Sequence, residues 1–332
     1  MDRILLGHGS GGKMMHQLIR DYFVPEFDLK SLNDSAVLEG INNGKIAFTT
    51  DSYVVSPIFF PGGDIGELAV YGTVNDLSMV GARPLYITAG IILEEGFPLE
   101  DLKKILFSMA IAAKKSGIKI VAGDTKVVDK GKADGIFINT SGIGMIEEGV
   151  DISPSKIMVG DNVILSGPIG KHGISIIAER NSINFDPPIL SDTAPLNNLV
   201  TEMIKTTKQI HAMRDPTRGG LATTLKEFAI QSGKCIAIEE DCIPVPSGIR
   251  GACELLGLDP LYVANEGLLV AIVKADVAEL LINAMRRHPL GTEARVIGHV
   301  QEKPPGMVLM KTSIGGTRII EMLSGDQLPR IC

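Results

Sequence analysis

The chain has 332 residues, 45% of them apolar, with 39 acidic against 32 basic side chains and a formal net charge of −7. That length and apolar content suffice for two cores, which excludes a disordered chain, and the acidic balance leaves no basic surplus for nucleic acid. No apolar run nears the roughly 18–20 residues of a membrane span, no signal peptide is legible, and cysteines at 235, 242, 253 and 332 fit neither a disulfide framework nor a Cys-x-x-Cys metal site. A cytosolic protein with no membrane partner is expected.

In chain order, the first feature is Gly7-His8-Gly9-Ser10-Gly11-Gly12-Lys13. It satisfies both G-x-G-x-x-G and G-x-x-x-x-G-K, yet Met14 stands where a Walker loop needs Ser or Thr. Two β-rich runs at 36–41 and 45–50, joined by Asn42-Asn43-Gly44, then predict an antiparallel hairpin where a dinucleotide fold needs a parallel strand. What survives is a glycine-rich approach to a helix over 13–22, whose free N–H groups suit an anion.

Helical periodicity follows at 65–79 and 99–115, the second opened by Pro98 and stopped by Gly117, with strands at 118–122 and 136–146. A turn-rich break over 147–161 separates these from a second unit, with strands at 162–166, 268–274 and 294–299 and helices at 194–209, 221–231 and 276–287. The pattern predicts an α+β protein of two domains, 1–150 and 151–314, followed by a mobile tail over 315–332.

Four segments set carboxylates beside small residues or in apolar runs, around Asp34, Asp51, Asp76 and Asp124. Taken singly, Asp34, Asp51 and Asp124 read as turn or cap residues. Asp76 is different, because its helix is apolar nearly all round and an unpaired charge there needs a cation. Converging carboxylates without a basic neighbour suit Mg²⁺, which typically accompanies phosphates. Asp215-Pro216-Thr217-Arg218-Gly219-Gly220 opens a later helix with a possible metal ligand, a guanidinium and two glycines. Glu266, just before an apolar strand, is either a solvated edge residue or a general base, and Lys126 either a surface charge or a charge stabiliser. Cys332, the last residue, has the wrong position for prenylation and can swing into a site or meet a partner.

His8-Gly9-Ser10-Gly11-Gly12, Thr49-Thr50-Asp51-Ser52, Gly72-Thr73-Val74-Asn75-Asp76, Gly123-Asp124-Thr125-Lys126, the Asp215 segment, Ala264-Asn265-Glu266-Gly267 and the terminal Pro329-Arg330-Ile331-Cys332 together resemble the HypE family of hydrogenase maturation proteins. That family is a branch of the aminoimidazole ribonucleotide synthetase, or PurM-like, superfamily. The resemblance implies a two-domain PurM-like fold and a homodimer whose N-terminal sheets pair into a barrel. It also implies ATP and Mg²⁺, with ATP in the cleft between the domains. The implied activity is ATP-dependent dehydration of a carbamoyl group on Cys332 to a thiocyanate, the carbamoyl coming from HypF and the cyano group passing to an iron centre held by HypC and HypD. Asp34, Asp51, Asp76 and Asp215 become expected metal ligands, and Gly9, Ser10, Gly11, Gly12 and Lys13 the phosphate cover. Asp51, Asn75, Asp124, Thr125 and Arg218 become nucleotide contacts. Glu266 is the expected base and Lys126 the charge stabiliser. Selenophosphate synthesis is disfavoured because no cysteine precedes Cys235; a carrier that merely presents Cys332 needs no Mg²⁺ site.

Overall fold

In a computed structural model of the chain, the described residues are 3–5, 18–27, 45–322 and 330–332. The expected phosphate cover at 9–13, Asp34 and the first arm of the predicted hairpin lie outside them.

The described part of the first half runs α1 (Val24–Phe27), β1 (Lys45–Tyr53), β2 (Phe59–Phe60), β3 (Gly63–Asp64), α2 (Ile65–Met79), β4 (Ala82–Glu94), α3 (Leu99–Ser116), β5 (Lys119–Val128) and β6 (Ile136–Ile146). Its four-stranded sheet has the order β1-β6-β4-β5, antiparallel except for the β4–β5 pair. Asp64 starts α2 by accepting the amides of Gly66 and Glu67 at 2.7 and 3.0 Å, which satisfies donors a helix start leaves open. Helix α3 ends at Gly117, whose φ of 68° supplies the left-handed cap. Thirteen of the fifteen residues of α2 are buried, all but Glu67 and Asp76. The reason is its position: α2 packs on β1, β4 and β6, on α3, and on elements of the second half. The opposite face of the sheet is open and leaves Phe48 74% and Ile46 56% exposed.

The second half runs β7 (Asn162–Leu165), α4 (Lys171–Arg180), α5 (Asn197–Thr206), β8 (Ile210–Arg214), α6 (Gly220–Ser232), β9 (Cys235–Glu239), α7 (Ser247–Leu256), β10 (Val270–Val273), α8 (Ala278–Met285), β11 (Arg295–Gln301), β12 (Val308–Lys311) and β13 (Thr317–Ile320). Its seven-stranded sheet has the order β13-β12-β9-β11-β7-β10-β8. The α+β class is as expected. The helix predicted over 194–209 is shorter, since Pro195 delays its start and Ile210 already belongs to β8. The tail expected from 315 differs too, because Thr317–Ile320 pairs with β12 as an edge strand. No helix among the described residues is long and apolar enough to cross a membrane.

The last three residues are docked. The Val54 amide donates to the Cys332 carbonyl at 3.1 Å and the Ser56 amide to the Arg330 carbonyl at 3.2 Å, so the chain end lies along the segment after β1. Cys332 is only 9% exposed and joins the core cluster that contains Val55 and Ala264. A freely mobile terminus was expected; satisfied backbone donors and a buried Ile331 hold this one.

Candidate active site

Asp51 comes from β1, Asp76 from α2, Asp215 from the end of β8 and Glu266 from the segment before β10. Far apart in sequence, they meet because α2 lies between the first sheet and the second half. Burial and then neighbouring Asp51 raise the Asp76 carboxyl to about 6, against the hydrogen bond donated by Thr49 Oγ1 at 3.0 Å and the charge of Arg214. Burial and the charge of Asp76 raise Asp215 to about 7. Glu266 is pushed well above the usual carboxylate range by burial, then by Asp215, Asp192, Asp51 and Asp76. Arg214, the cation nearest Asp76 and Asp215, is itself paired with Glu227.

No three His, Cys, Asp or Glu side chains among the described residues enclose a metal by themselves. The donor set nevertheless fits Mg²⁺ that arrives with phosphates, since such an ion takes one or two carboxylates and fills its other positions with water and phosphate oxygens. Two observations support the fit: mutual repulsion among Asp51, Asp76 and Asp215, which a cation relieves, and Glu266 Oε1, which is buried without a hydrogen-bond partner.

Cys332 faces this cluster. Burial first, then Glu266, Asp51 and Asp215, push its thiol up to about 12 against the opposing charge of Arg218. Arg218 is presented by a turn that only glycines can make: Gly219 and Gly220 have φ of 77° and 61°, and a Cβ on Gly220 would stand 2.5 Å from the Leu261 carbonyl. Asn265 ties this turn to the Glu266 segment. Its Nδ2 donates to Pro216 O at 2.9 Å and Val263 O at 3.0 Å, and its Oδ1 accepts from Gly170 N at 2.7 Å. Asp192 accepts from the amides of Glu266 and Gly267 at 3.2 and 3.3 Å. A Cβ on Gly267 would meet the Asp192 carbonyl at 1.8 Å, so only glycine allows that approach.

Other expected site residues lie elsewhere or face other partners. Asn75 is buried, with Nδ2 3.1 Å from Ala194 O and Oδ1 accepting from Leu196 N at 2.8 Å, so its amide joins α2 to the second half. Thr125 is buried on β5. Asp124 and Lys126 point to solvent and pair with each other at 2.7 Å, apart from the groups gathered around Cys332. The sequence reading missed His172, Arg180, Ser191 and Asp192. His172 Nε2 lies 2.8 Å from Ile331 O, and Arg180 Nη2 donates to Arg330 O at 2.8 Å. Asp192, in Ser191-Asp192-Thr193, is legible as a turn; a lone His among Gly and Ile gives no signal.

The AIR synthase related protein family matches the chain twice, its N-terminal domain at residues 32–146 and its C-terminal domain at 158–311. Carbamoyl dehydratase HypE of Cupriavidus necator is 53% identical over 99% of this chain and 95% of its own length. A crystal structure of hydrogenase maturation protein HypE in complex with ATP is 47% identical, with a TM-score of 0.96 and 99% of each chain covered. A crystal structure of a HypE–HypF complex matches at 48% identity and a TM-score of 0.82, over 94% of this chain and 100% of that one. By whole-length identity and by both halves of its fold, the chain belongs to the HypE family of hydrogenase maturation proteins, PurM-like in architecture.

Proposed function

We propose that the protein dehydrates an S-carbamoyl group on Cys332 to a thiocyanate, with ATP as the driving reactant, and so supplies the cyanide ligands of a nickel-iron hydrogenase centre. The observation that carries this reading is the burial of the docked Cys332 thiol within electrostatic reach of Glu266, Asp51 and Asp215 and of the countering charge of Arg218. When bound, ATP supplies the phosphoryl group that turns the carbamoyl oxygen of Cys332–S–C(O)NH₂ into departing phosphate, and Mg²⁺ screens the phosphate charge. Asp51, Asp76 and Asp215, with Asp34, would hold the metal, and residues 9–13 would cover the phosphates with Arg218 as counter-charge. Asp124 and Thr125 stay in the proposal as nucleotide contacts, and Lys126 as stabiliser of charge on the oxygen side.

Glu266 is the base. Burial and the neighbouring carboxylates raise its carboxyl, which makes the ionised form a stronger acceptor for the amide protons, and the Asp192 contacts to the Glu266 and Gly267 amides hold its backbone. The two amide protons leave in turn, the first as the oxygen becomes the phosphate ester and the second as the C–O bond breaks, Glu266 passing the first to solvent before it accepts the second; Cys332–S–C≡N remains and the oxygen departs with the phosphate. Burial of Cys332, 9% exposed, limits the water that could hydrolyse the activated carbamoyl group.

The proposal includes loading by HypF, in line with the HypE–HypF complex found for a relative, and delivery to HypC–HypD. It includes the division into domains near residue 150 and a homodimer formed through the open sheet face, where Ile46, Phe48 and Ile92 are exposed. The decisive measurement is the mass of the C-terminal peptide after incubation with HypF, carbamoyl phosphate and Mg-ATP. A carbamoyl adduct that loses one water only with ATP is expected; an adduct that persists while ATP is untouched reduces the protein to a carrier. Cys332→Ala should abolish loading and leave nucleotide binding intact.

A further inference from the structure

His172 is wholly buried in α4, takes no part in the chemistry above, and touches the chain end. Its ring stands edge-on to Phe60, with centroids 5.5 Å apart. Nε2 is 2.8 Å from the Ile331 carbonyl and Nδ1 is 2.8 Å from Ser191 Oγ. A carbonyl can only accept, so the proton must sit on Nε2. Nδ1 is then the acceptor, and the Ser191 hydroxyl must point at it. Ser191 Oγ in turn lies 2.6 Å from Thr193 Oγ1 and accepts from the Thr193 amide at 3.1 Å. This relay leaves the imidazole one arrangement of protons.

We propose that His172 is a positioning residue for the reaction: its Nε2–H, fixed by Ser191 and Thr193, holds the Ile331 carbonyl so that the neighbouring Cys332 thiol is aimed at the carboxylate cluster. Burial holds the ring at about 4, so it stays a neutral single donor across physiological pH. The anchor is rigid at its far end as well, because the Ser191 amide donates to Pro61 O at 2.8 Å. Ile331 is thus held from the second half while the adjacent Cys332 carbonyl is held by Val54 of the first, and two fixed points on consecutive residues define the side-chain direction at Cys332. Its catalytic consequence rests on the proposed dehydratase reading; the docking itself does not.

The test uses the full chain and reads alkylation of each cysteine by iodoacetamide, through peptide mass, with buried Cys235 and Cys253 as internal references. His172→Leu removes the donor, and His172→Gln replaces it with an amide N–H near the same place. Loss of one buried hydrogen bond predicts a fivefold to tenfold faster alkylation of Cys332 in H172L, with Cys235 and Cys253 unchanged and H172Q close to the parent. Ser191→Ala, which frees the tautomer without touching the ring, should give about threefold and carries the test if H172L does not fold. Dehydration per carbamoylated chain should slow by a similar factor in H172L and recover in H172Q. Unchanged Cys332 alkylation, an equal rise at all three cysteines, or H172Q behaving like H172L would each overturn the assignment. Alkylation is read without HypF or ATP, so a chain whose Cys332 is never carbamoylated sinks the proposed function and leaves the positioning role standing.

Discussion

Asp76 carries the sharpest electrostatic consequence of the site. Its folded-state carboxyl lies near 6, as that of Asp215 lies near 7, both above the ordinary value of 3.8 because burial and like charge disfavour ionisation. The folded protein therefore holds these protons more tightly than the unfolded chain does. Below pH ~4 both states are protonated and no penalty exists; as pH rises from ~4 to ~7 the metal-free fold loses stability. A shift of this size at Asp76 corresponds to about 2–3 kcal/mol, on the order of what the burial implies. Asp76→Asn should flatten that loss in the metal-free protein by about 1–2 kcal/mol between pH 5 and pH 8, read from urea unfolding, since roughly half of the loss is already incurred by pH 5. Because His172, depressed to about 4, acts with opposite sign in both proteins, it cancels in the difference. The same variant should weaken Mg-ATP binding in titration calorimetry, and unchanged affinity would remove Asp76 from the metal site.

Among the elements, the turns that connect helices to strands shape the site more than the helices themselves. Asn265 fills all three of its buried hydrogen bonds with backbone of three different segments, so Asn265→Ala leaves those groups unsatisfied. It should lower stability by about 2–4 kcal/mol in denaturant unfolding and displace Arg218 with the Asp215 turn. Gly220→Ala adds a Cβ against the Leu261 carbonyl at a left-handed φ and should be comparably damaging, whereas Gly233→Ala, strained but open around its Cβ, should cost less; relative Tm values check the ranking. These elements also show what could be read in advance. The helix 65–79 was legible because its apolar run keeps helical periodicity, and Asp76 stood out against that run. The α4 helix, β8 and the edge strand β13 were not, since their burial arises from contacts made by distant segments. The four carboxylates could be named from local sequence, but His172 could not, because its partner lies 159 residues away.

At the scale of the molecule, one sheet face stays open among the described residues while the chain end is docked. Phe48, paired across the sheet with Ile143, and Ile92, paired with Phe137, leave an apolar surface that suits a second copy. A dimer formed through this face would give way to monomer in sedimentation on Phe48→Asp, with circular dichroism unchanged; a dimer that persists in the variant argues for another interface. The chain end bridges the two halves, with Cys332 bonded to the first, Ile331 to the second and Arg330 to both. The last three residues consequently act as a ligand that happens to be covalently attached, with an effective concentration set by the length of the preceding segment. Thermodynamic reciprocity then binds two events that look separate: whatever draws the halves together tightens the grip on the terminus, and a terminus captured by a partner loosens the halves by the same free energy. Removal of residues 330–332 should accordingly speed hydrogen exchange where the halves pack, at α2 against α5 and β8, away from the bonds that the truncation itself breaks.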